Sequence, residues 1–230
     1  MKHPEFPEPS GTDAGAAWSG GLSALSTVPL ADAREAVLAA VSAGCAGNAA
    51  WKRRKYSEFR ELLALDQVSG RIEILQADLS IAIRVLFRLR CPVPTMPVPG
   101  GDLVVADSAV IGLTYPEEAV RMPQPGFAFL GLLEPNHVWL PNVAPPDPAF
   151  PRIGPGQALC LGVEVAAGTP VKELILSAYE ALTMQSIQLD ERDHAGIMNK
   201  ESASWYLMNR SRIPLTREGF LPAKPSREPC

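Results

Sequence analysis

The chain has 230 residues, 47% of them hydrophobic and 20% charged, which is enough to bury one sizeable core, and its formal net charge is -4. That balance leaves no basic excess for a nucleic-acid backbone, and the one cationic run, Trp51-Lys52-Arg53-Arg54-Lys55, is short. No apolar stretch approaches the roughly 18 residues that span a bilayer. The opening "MKHPEFPEPSGTD" also lacks the apolar centre of a secretion signal, so the expectation is a cytoplasmic protein with neither membrane nor nucleic acid as partner.

Residues 1–29 are rich in Pro, Gly, Ala and Ser without a sustained period, and read as a mobile extension. "LADAREAVLAAVSAG", residues 30–44, has helical spacing and stops at a glycine, so the extension over 1–50 carries a short helix of its own. The main domain is expected over 51–213 and a tail over 214–230. Its first helix is predicted from about Arg54 to Asp66, with Tyr56, Phe59 and Leu63 on one face.

From Arg71 to Cys91 the period changes. Leu79, Ile81, Ile83, Val85, Phe87 and Leu89 alternate with more polar neighbours, the pattern of one long strand with a buried face, or of two strands joined near Ala77-Asp78. "CPVPTMPVPGGD" breaks the pattern with four prolines and two glycines and reads as a hairpin-type connection; "LVVADSAVIGLTY" and residues 127–133 resume it. Helix returns in "TPVKELILSAYEALTMQSI", with Thr169 as N-cap, Pro170 at the first helical position, and Val171, Leu174, Ile175, Ala178 and Leu182 as the apolar face. A last helix is expected from about Asn199 to Asn209, carrying Trp205. Consecutive strands bracketed by helices predict an α+β fold with an antiparallel meander.

The four cysteines, Cys45, Cys91, Cys160 and Cys230, are far apart, with no C-x-x-C pair and no histidine at ligand spacing, so neither structural zinc nor a disulfide framework is expected. Cys91 reads as core or strand end. Cys160 lies in "GPGQALCLGVEV", a short apolar run after a Pro/Gly-rich loop, where it is either a packing residue or a nucleophile. A Cys-His pairing would use His137 or His194. No G-x-S-x-G, G-x-x-x-x-G-K-[ST] or H-E-x-x-H occurs.

One ordered set of local signals remains. A helix and a meander are followed by "TYPEEAVRMPQPGF", then "LPNV", then "ALCLG", then a Thr-Pro helix. From about Arg54 to Arg210 this order resembles the ubiquitin-conjugating enzyme family, in particular its divergent bacterial branch. In that family a Tyr-Pro followed by further prolines closes the third strand, as Tyr115-Pro116 with Pro123 and Pro125 does here. A His-Pro-Asn precedes the active cysteine; the matching pieces are Leu140-Pro141-Asn142 and Leu159-Cys160-Leu161, with leucine in place of the histidine and a longer loop, "APPDPAFPRIGPGQ", between them.

The resemblance implies a UBC-like meander flanked by an N-terminal helix and C-terminal helices. It implies that Cys160 takes the C-terminal carboxyl of a ubiquitin-like protein as a thioester and passes it to an amine of a target protein. It gives Asn142 the stabilisation of the charged intermediate, with Asn136 and His137 of "EPNHV" as rivals. It gives acidic residues of "LDERDHAG", Asp193 foremost among Asp190, Glu191 and His194, the removal of the amine's proton. Read without the family, Asn142 is equally an asparagine bonding its own turn, and the acidic loop a solvated one. An activating enzyme is implied as partner, since the chain has no nucleotide motif, and no cofactor or metal is called for. Relatives in the bacterial branch are associated with defence against phage. Lys52 to Lys55 fall where relatives dock the activating enzyme, or form a solvated helix end. Competing readings are a non-catalytic adaptor of the same fold that binds a ubiquitin-like protein, a cysteine hydrolase or redox thiol, and a plain interaction module. The nucleophile is expected in a shallow exposed groove, carried to the surface by the Pro/Gly-rich approach.

Overall fold

The computed structural model describes residues 45–98, 100–146, 152–153, 156–186, 189, 196–213 and 216–221. The extension before residue 45 and the helix expected in it, the residues Asp190, Glu191, Asp193 and His194, and Cys230 lie outside the described residues.

Helix α1, Ala49–Val68, is longer than expected at both ends. It starts at Asn48, whose side-chain oxygen accepts from the Trp51 N–H at 2.9 Å, the side-chain cap that a helix N-terminus leaves open. Its buried stripe is Trp51, Lys55, Glu58, Phe59, Leu62 and Leu65, so Tyr56, expected on that face, is instead exposed. The stripe contains two charged residues, and both are satisfied. The Lys55 ammonium, fully buried, donates to the carbonyls of Ala46, Leu79 and Ser80 at 2.8, 2.6 and 2.9 Å, using its three donors. The Glu58 carboxylate pairs with Arg54 at 2.6 Å and accepts from the Val171 N–H at 2.8 Å. The cationic run is therefore divided: Lys52 and Arg53 face solvent, while Arg54 and Lys55 hold structure together.

The main sheet has six strands, which lie in the order Ile72–Asp78, Ile83–Thr95, Val104–Tyr115, Leu130–Glu134, Gly156–Leu159 and Arg152–Ile153, and all their pairings are antiparallel. β1 (Ile72–Asp78) and β2 (Ile83–Thr95) form a hairpin whose turn is held by the Asp78 carboxylate accepting from the Ser80 N–H at 2.8 Å. Ile81, expected on the buried face, lies on this turn and is 71% exposed. Ile83, Val85, Phe87 and Leu89 are all fully buried, as their alternation predicts. β2 does not stop at Cys91. It runs on through Pro92 and Pro94, beyond the end of β1, and the register with β3 skips between Arg90 and Val93. Pro92 falls in this bulge, where a strand tolerates a residue without an N–H, and at Pro94 the side that β1 has left is taken by the 137–139 segment, whose Trp139 N–H donates to the Pro94 carbonyl at 2.9 Å.

β3 (Val104–Tyr115) ends on Tyr115, which is buried with its ring stacked on Trp51 and Phe129. A short helix α2 (Glu118–Arg121) and β4 (Gln124–Pro125) follow, then β5 (Leu130–Glu134), where residues 127–133 had been expected to extend. β6 (Arg152–Ile153) and β7 (Gly156–Leu159) complete the sheet, and β8 (Glu164–Val165) pairs with β4 in a small second ladder.

α3 (Val171–Leu182) buries the predicted face of Val171, Leu174, Ile175, Ala178 and Leu182. Its start differs from expectation. Pro170 is the N-cap and the Thr169 hydroxyl points backward, donating to the Ala166 carbonyl at 2.8 Å. The open N–H of Val171 is capped from α1 by Glu58, a carboxylate at the positive end of the helix dipole. α1 and α3 pack on each other and on β1 and β2, so the core lies between these helices and one face of the sheet. α4 (Lys200–Met208) begins at Asn199, whose side chain accepts from the Ser202 N–H at 2.9 Å, and buries Tyr206 more deeply than Trp205. Residues 216–221, within the segment read as a tail, pack on the domain: Phe220 meets the Tyr179 ring edge-on at 5.3 Å. The fold is α+β with an antiparallel sheet.

Candidate active site

Cys160 is the first residue after β7, and Asn142 lies beside it. The segment before β6 runs along the end of β7: the Ala144 N–H donates to the Ala158 carbonyl at 2.9 Å, and the Cys160 N–H to the Asn142 carbonyl at 2.8 Å. Gln157 pins that segment through its side chain, accepting from the Val138 N–H at 2.9 Å and donating to the Ala144 carbonyl at 2.8 Å. From the other side, the N–H groups of Met198 and Asn199, at the start of α4, both donate to the Pro141 carbonyl, at 2.7 and 2.9 Å. Asn142 is thereby positioned by β7 and α4 together. Its Nδ2 lies 3.5 Å from the Cys160 carbonyl, a long contact, and its buried Oδ1 has no partner among the described residues.

The turn after the cysteine is held by two glycines. Gly126 accepts from the Leu161 N–H at 3.1 Å and donates to the Val163 carbonyl at 3.2 Å. A Cβ on Gly126 would come within 1.9 Å of the Gly162 carbonyl oxygen, so only glycine allows this approach of two backbones. Gly162 has φ +125°, in the region that disfavours any side chain. Gly126 of "PQPG" thus fastens the cysteine turn, while the third strand already ends at Tyr115.

The thiol differs from expectation. Cys160 is buried, 6% exposed, and its Sγ donates to the Gly162 carbonyl at 3.0 Å. Burial pushes the thiol above its ordinary value of 9.0. The reason lies in the approach: residues 156–159 are a strand paired with β5 rather than a loop that lifts the cysteine outward. Cys160 forms part of the wall of a groove of about 500 Å³, whose lining also includes Asn142, Gly162, Ser177, Glu180 and Gln185. Burial thus favours the neutral thiol, which sits at the edge of this groove.

Of the candidate residues, the structure brings together Cys160 and Asn142. Asn136 and His137 are exposed and line no part of the groove. Asp193 lies outside the described residues. Cys91 is buried in β2 with its thiol pushed up to about 12 by burial, the state of a packing residue. Ser177 and Glu180, which the sequence reading did not single out, are three residues apart on the polar side of α3. Their spacing was visible; that this side looks onto Cys160 depends on the chain's path. Among the described residues no group of three His, Cys, Asp or Glu could hold a metal ion, and no helix is long and apolar enough to cross a membrane. No family model, curated protein or solved structure matches the chain.

Proposed function

We propose that the protein is a ubiquitin-conjugating-type transferase: Cys160 accepts the C-terminal carboxyl of a ubiquitin-like protein as a thioester from an activating enzyme and passes it to an amine of a target protein. The observation that carries this reading is the pairing of Cys160 with Asn142. Eighteen residues apart in sequence, they are held side by side at one groove by the backbone bond and by the anchoring of Pro141 on α4. An antiparallel sheet with α1 and α3 packed on one face is compatible with the UBC-like architecture.

In the first step the Cys160 thiolate attacks the activated carbonyl, and the activating enzyme's thiol leaves. In the second an amine attacks the thioester carbonyl, negative charge grows on its oxygen, and collapse expels the Cys160 thiolate. The long Asn142 Nδ2 contact is easily given up, which leaves that amide free to donate to the growing charge. The resemblance assigns the amine's proton to Asp193.

Incubation with an activating enzyme, a ubiquitin-like protein and ATP should give an adduct on a non-reducing gel that a thiol reductant removes. Cys160→Ser should replace it with a reductant-resistant ester, and Cys160→Ala should abolish it; an adduct surviving in Cys160→Ala removes the assignment. The burial of Cys160 and its raised thiol favour a second reading, a non-catalytic adaptor in which the cysteine packs the groove wall. In that case the ubiquitin-like protein binds the wild type and Cys160→Ala equally, and no adduct forms.

A further inference from the structure

A second built site lies where residues 218–220 cross the domain. Side chains of the domain there donate to three successive main-chain carbonyls. The Tyr179 hydroxyl and the Gln185 amide donate to the Glu218 carbonyl at 2.8 and 3.1 Å, Arg71 Nε to the Gly219 carbonyl at 3.2 Å, and the Ser69 hydroxyl to the Phe220 carbonyl at 3.0 Å. Two side chains of the segment add to these bonds. The Glu218 carboxylate pairs with Arg71 Nη2, and the Phe220 ring, 7% exposed, meets the Tyr179 ring edge-on. Arg71 is itself held over the Tyr179 ring, its guanidinium carbon 5.5 Å from the ring centre. Among the described residues, no backbone–backbone bond ties residues 216–221 to the rest of the domain.

The hold is that of peptide recognition. Side chains of the domain read main-chain carbonyls, one carboxylate and one aromatic ring, and another molecule that offers these groups in the same order makes the same bonds. The middle position is open, since a Cβ on Gly219 would meet only the Leu221 carbonyl oxygen, at 3.4 Å. We propose that Ser69, Arg71, Tyr179 and Gln185 form a binding site for an acid–x–aromatic segment of a partner protein, which residues 218–220 fill until that segment displaces them. Arg71 selects the carboxylate by charge, and Tyr179 both packs on the ring and donates to the carbonyl of the acidic residue. With the Cys160 groove the site shares only Gln185 among the described residues. The resident segment is tethered and competes at a high effective concentration, so a partner must bring its segment in by further contacts of its own.

The test uses the full chain and a fluorescent peptide of residues 216–222, Thr-Arg-Glu-Gly-Phe-Leu-Pro, with binding followed by anisotropy. Protein is titrated to about 1 mM, the effective concentration that a short tether supplies. Phe220→Ala removes the resident anchor. Glu218→Lys, at a side chain 73% exposed, opposes Arg71 without touching the aromatic contact, and serves if Phe220→Ala does not unfold cooperatively in urea. The vacated variant should bind the peptide saturably, and the wild type at least about 10-fold more weakly because its own segment competes. Lysine for the peptide's glutamate, alanine for its phenylalanine, or Arg71→Met added to the vacated variant should each weaken binding about 10-fold or more. No binding to the folded variant, equal binding of the altered peptides, or binding to the wild type as tight as to the variant overturns the proposal. A wild-type dimer in light scattering that Phe220→Ala dissolves makes a second copy the occupant and overturns it as well. None of these measurements involves Cys160, so they bear on this site alone.

Discussion

Asn142 and Cys160 are joined by a 2.8 Å bond from the Cys160 N–H to the Asn142 carbonyl, while the Asn142 side chain reaches back to within 3.5 Å of the Cys160 carbonyl. The backbone bond does not depend on the side chain. Asn142→Ala should therefore preserve the turn and the loading of Cys160, while discharge onto an amine slows about 10- to 1000-fold, as when one oxyanion donor is removed. Single-turnover loading and discharge, measured separately, check this. Equal loss in both steps would give Asn142 a bracing role only.

Thiol reactivity should follow the burial of Cys160. Its proton is held more tightly than the ordinary 9.0, so the thiolate is scarce near neutral pH and grows about tenfold per pH unit until the raised value is passed. Iodoacetamide labelling of the native protein should be slower at Cys160 than at a free thiol, and should accelerate with pH through and beyond 9.0. Cys91, pushed up to about 12 inside the sheet, should remain unlabelled over the same range. Labelling at the free-thiol rate near neutral pH would show that the groove opens in solution.

What the sequence made legible was local. The alternation from Ile83 to Leu89, the apolar stripe of α3, and the asparagines that bound α4 all act within a turn or a strand of themselves. What it concealed acts at a distance. Thr169 has the right residue type for a cap, yet the cap comes from Glu58, 113 residues before the Val171 N–H it accepts from, and no local pattern encodes that. Lys55 looks like one of a cationic run until the chain folds Ala46, Leu79 and Ser80 around it. At the site, Cys160 and Asn142 were readable through a resemblance of order. The strand that buries the cysteine, and the side of α3 that brings Glu180 to it, follow from sheet topology alone.

Lys55 supplies a stability test of that division. Lys55→Met keeps the aliphatic stem but takes the donor from the carbonyls of Ala46 and Leu79, the latter bond buried, while the Ser80 carbonyl keeps the Ala46 N–H at 2.8 Å. At about 1 kcal/mol or more for each of the two groups, the loss should reach about 2 kcal/mol in urea denaturation. Lys52→Ala and Arg53→Ala, on the exposed side, should each change stability by less than about 0.5 kcal/mol. A Lys55→Met variant as stable as the wild type would mean that water replaces the ammonium.

Glu58 should make stability depend on pH in the direction opposite to a surface ion pair. Desolvation raises its carboxyl above the ordinary 4.5, outweighing the Val171 N–H and Arg54 that favour its charge. The folded state thus binds the proton more tightly than the unfolded chain. Its contribution is fully present below 4.5 and is lost as pH rises through the folded value. Glu58→Gln still offers an oxygen to Val171 but does not titrate. The stability of the wild type relative to Glu58→Gln, from urea denaturation at a series of pH values, should fall as pH rises from about 4 towards neutrality and then level off. A difference that grows with pH would show that the pairing with Arg54 and the α3 terminus exceeds the cost of burial.

Gly126 links the fold most directly to the cysteine. A methyl group there would meet the Gly162 carbonyl oxygen at 1.9 Å, and the three nearest atoms are all Gly162 backbone, so no side chain can swing aside to relieve the clash. Either the turn from Cys160 to Val163 lifts away, or the segment before β5 does, and in both cases the bonds from Leu161 to Gly126 and from Gly126 to Val163 are stretched. Gly126→Ala should cost about 1–3 kcal/mol, the range of overpacking in a closely packed site. Because the displaced turn carries the Gly162 carbonyl that covers Sγ, labelling of Cys160 should at the same time become faster. Gly70→Ala is the control: nothing lies within 4 Å of its added methyl, and the change should be neutral or stabilise by up to about 1 kcal/mol through the unfolded chain. A Gly126→Ala protein that loses stability without faster labelling would mean that the segment before β5 yields and the cysteine turn keeps its shape.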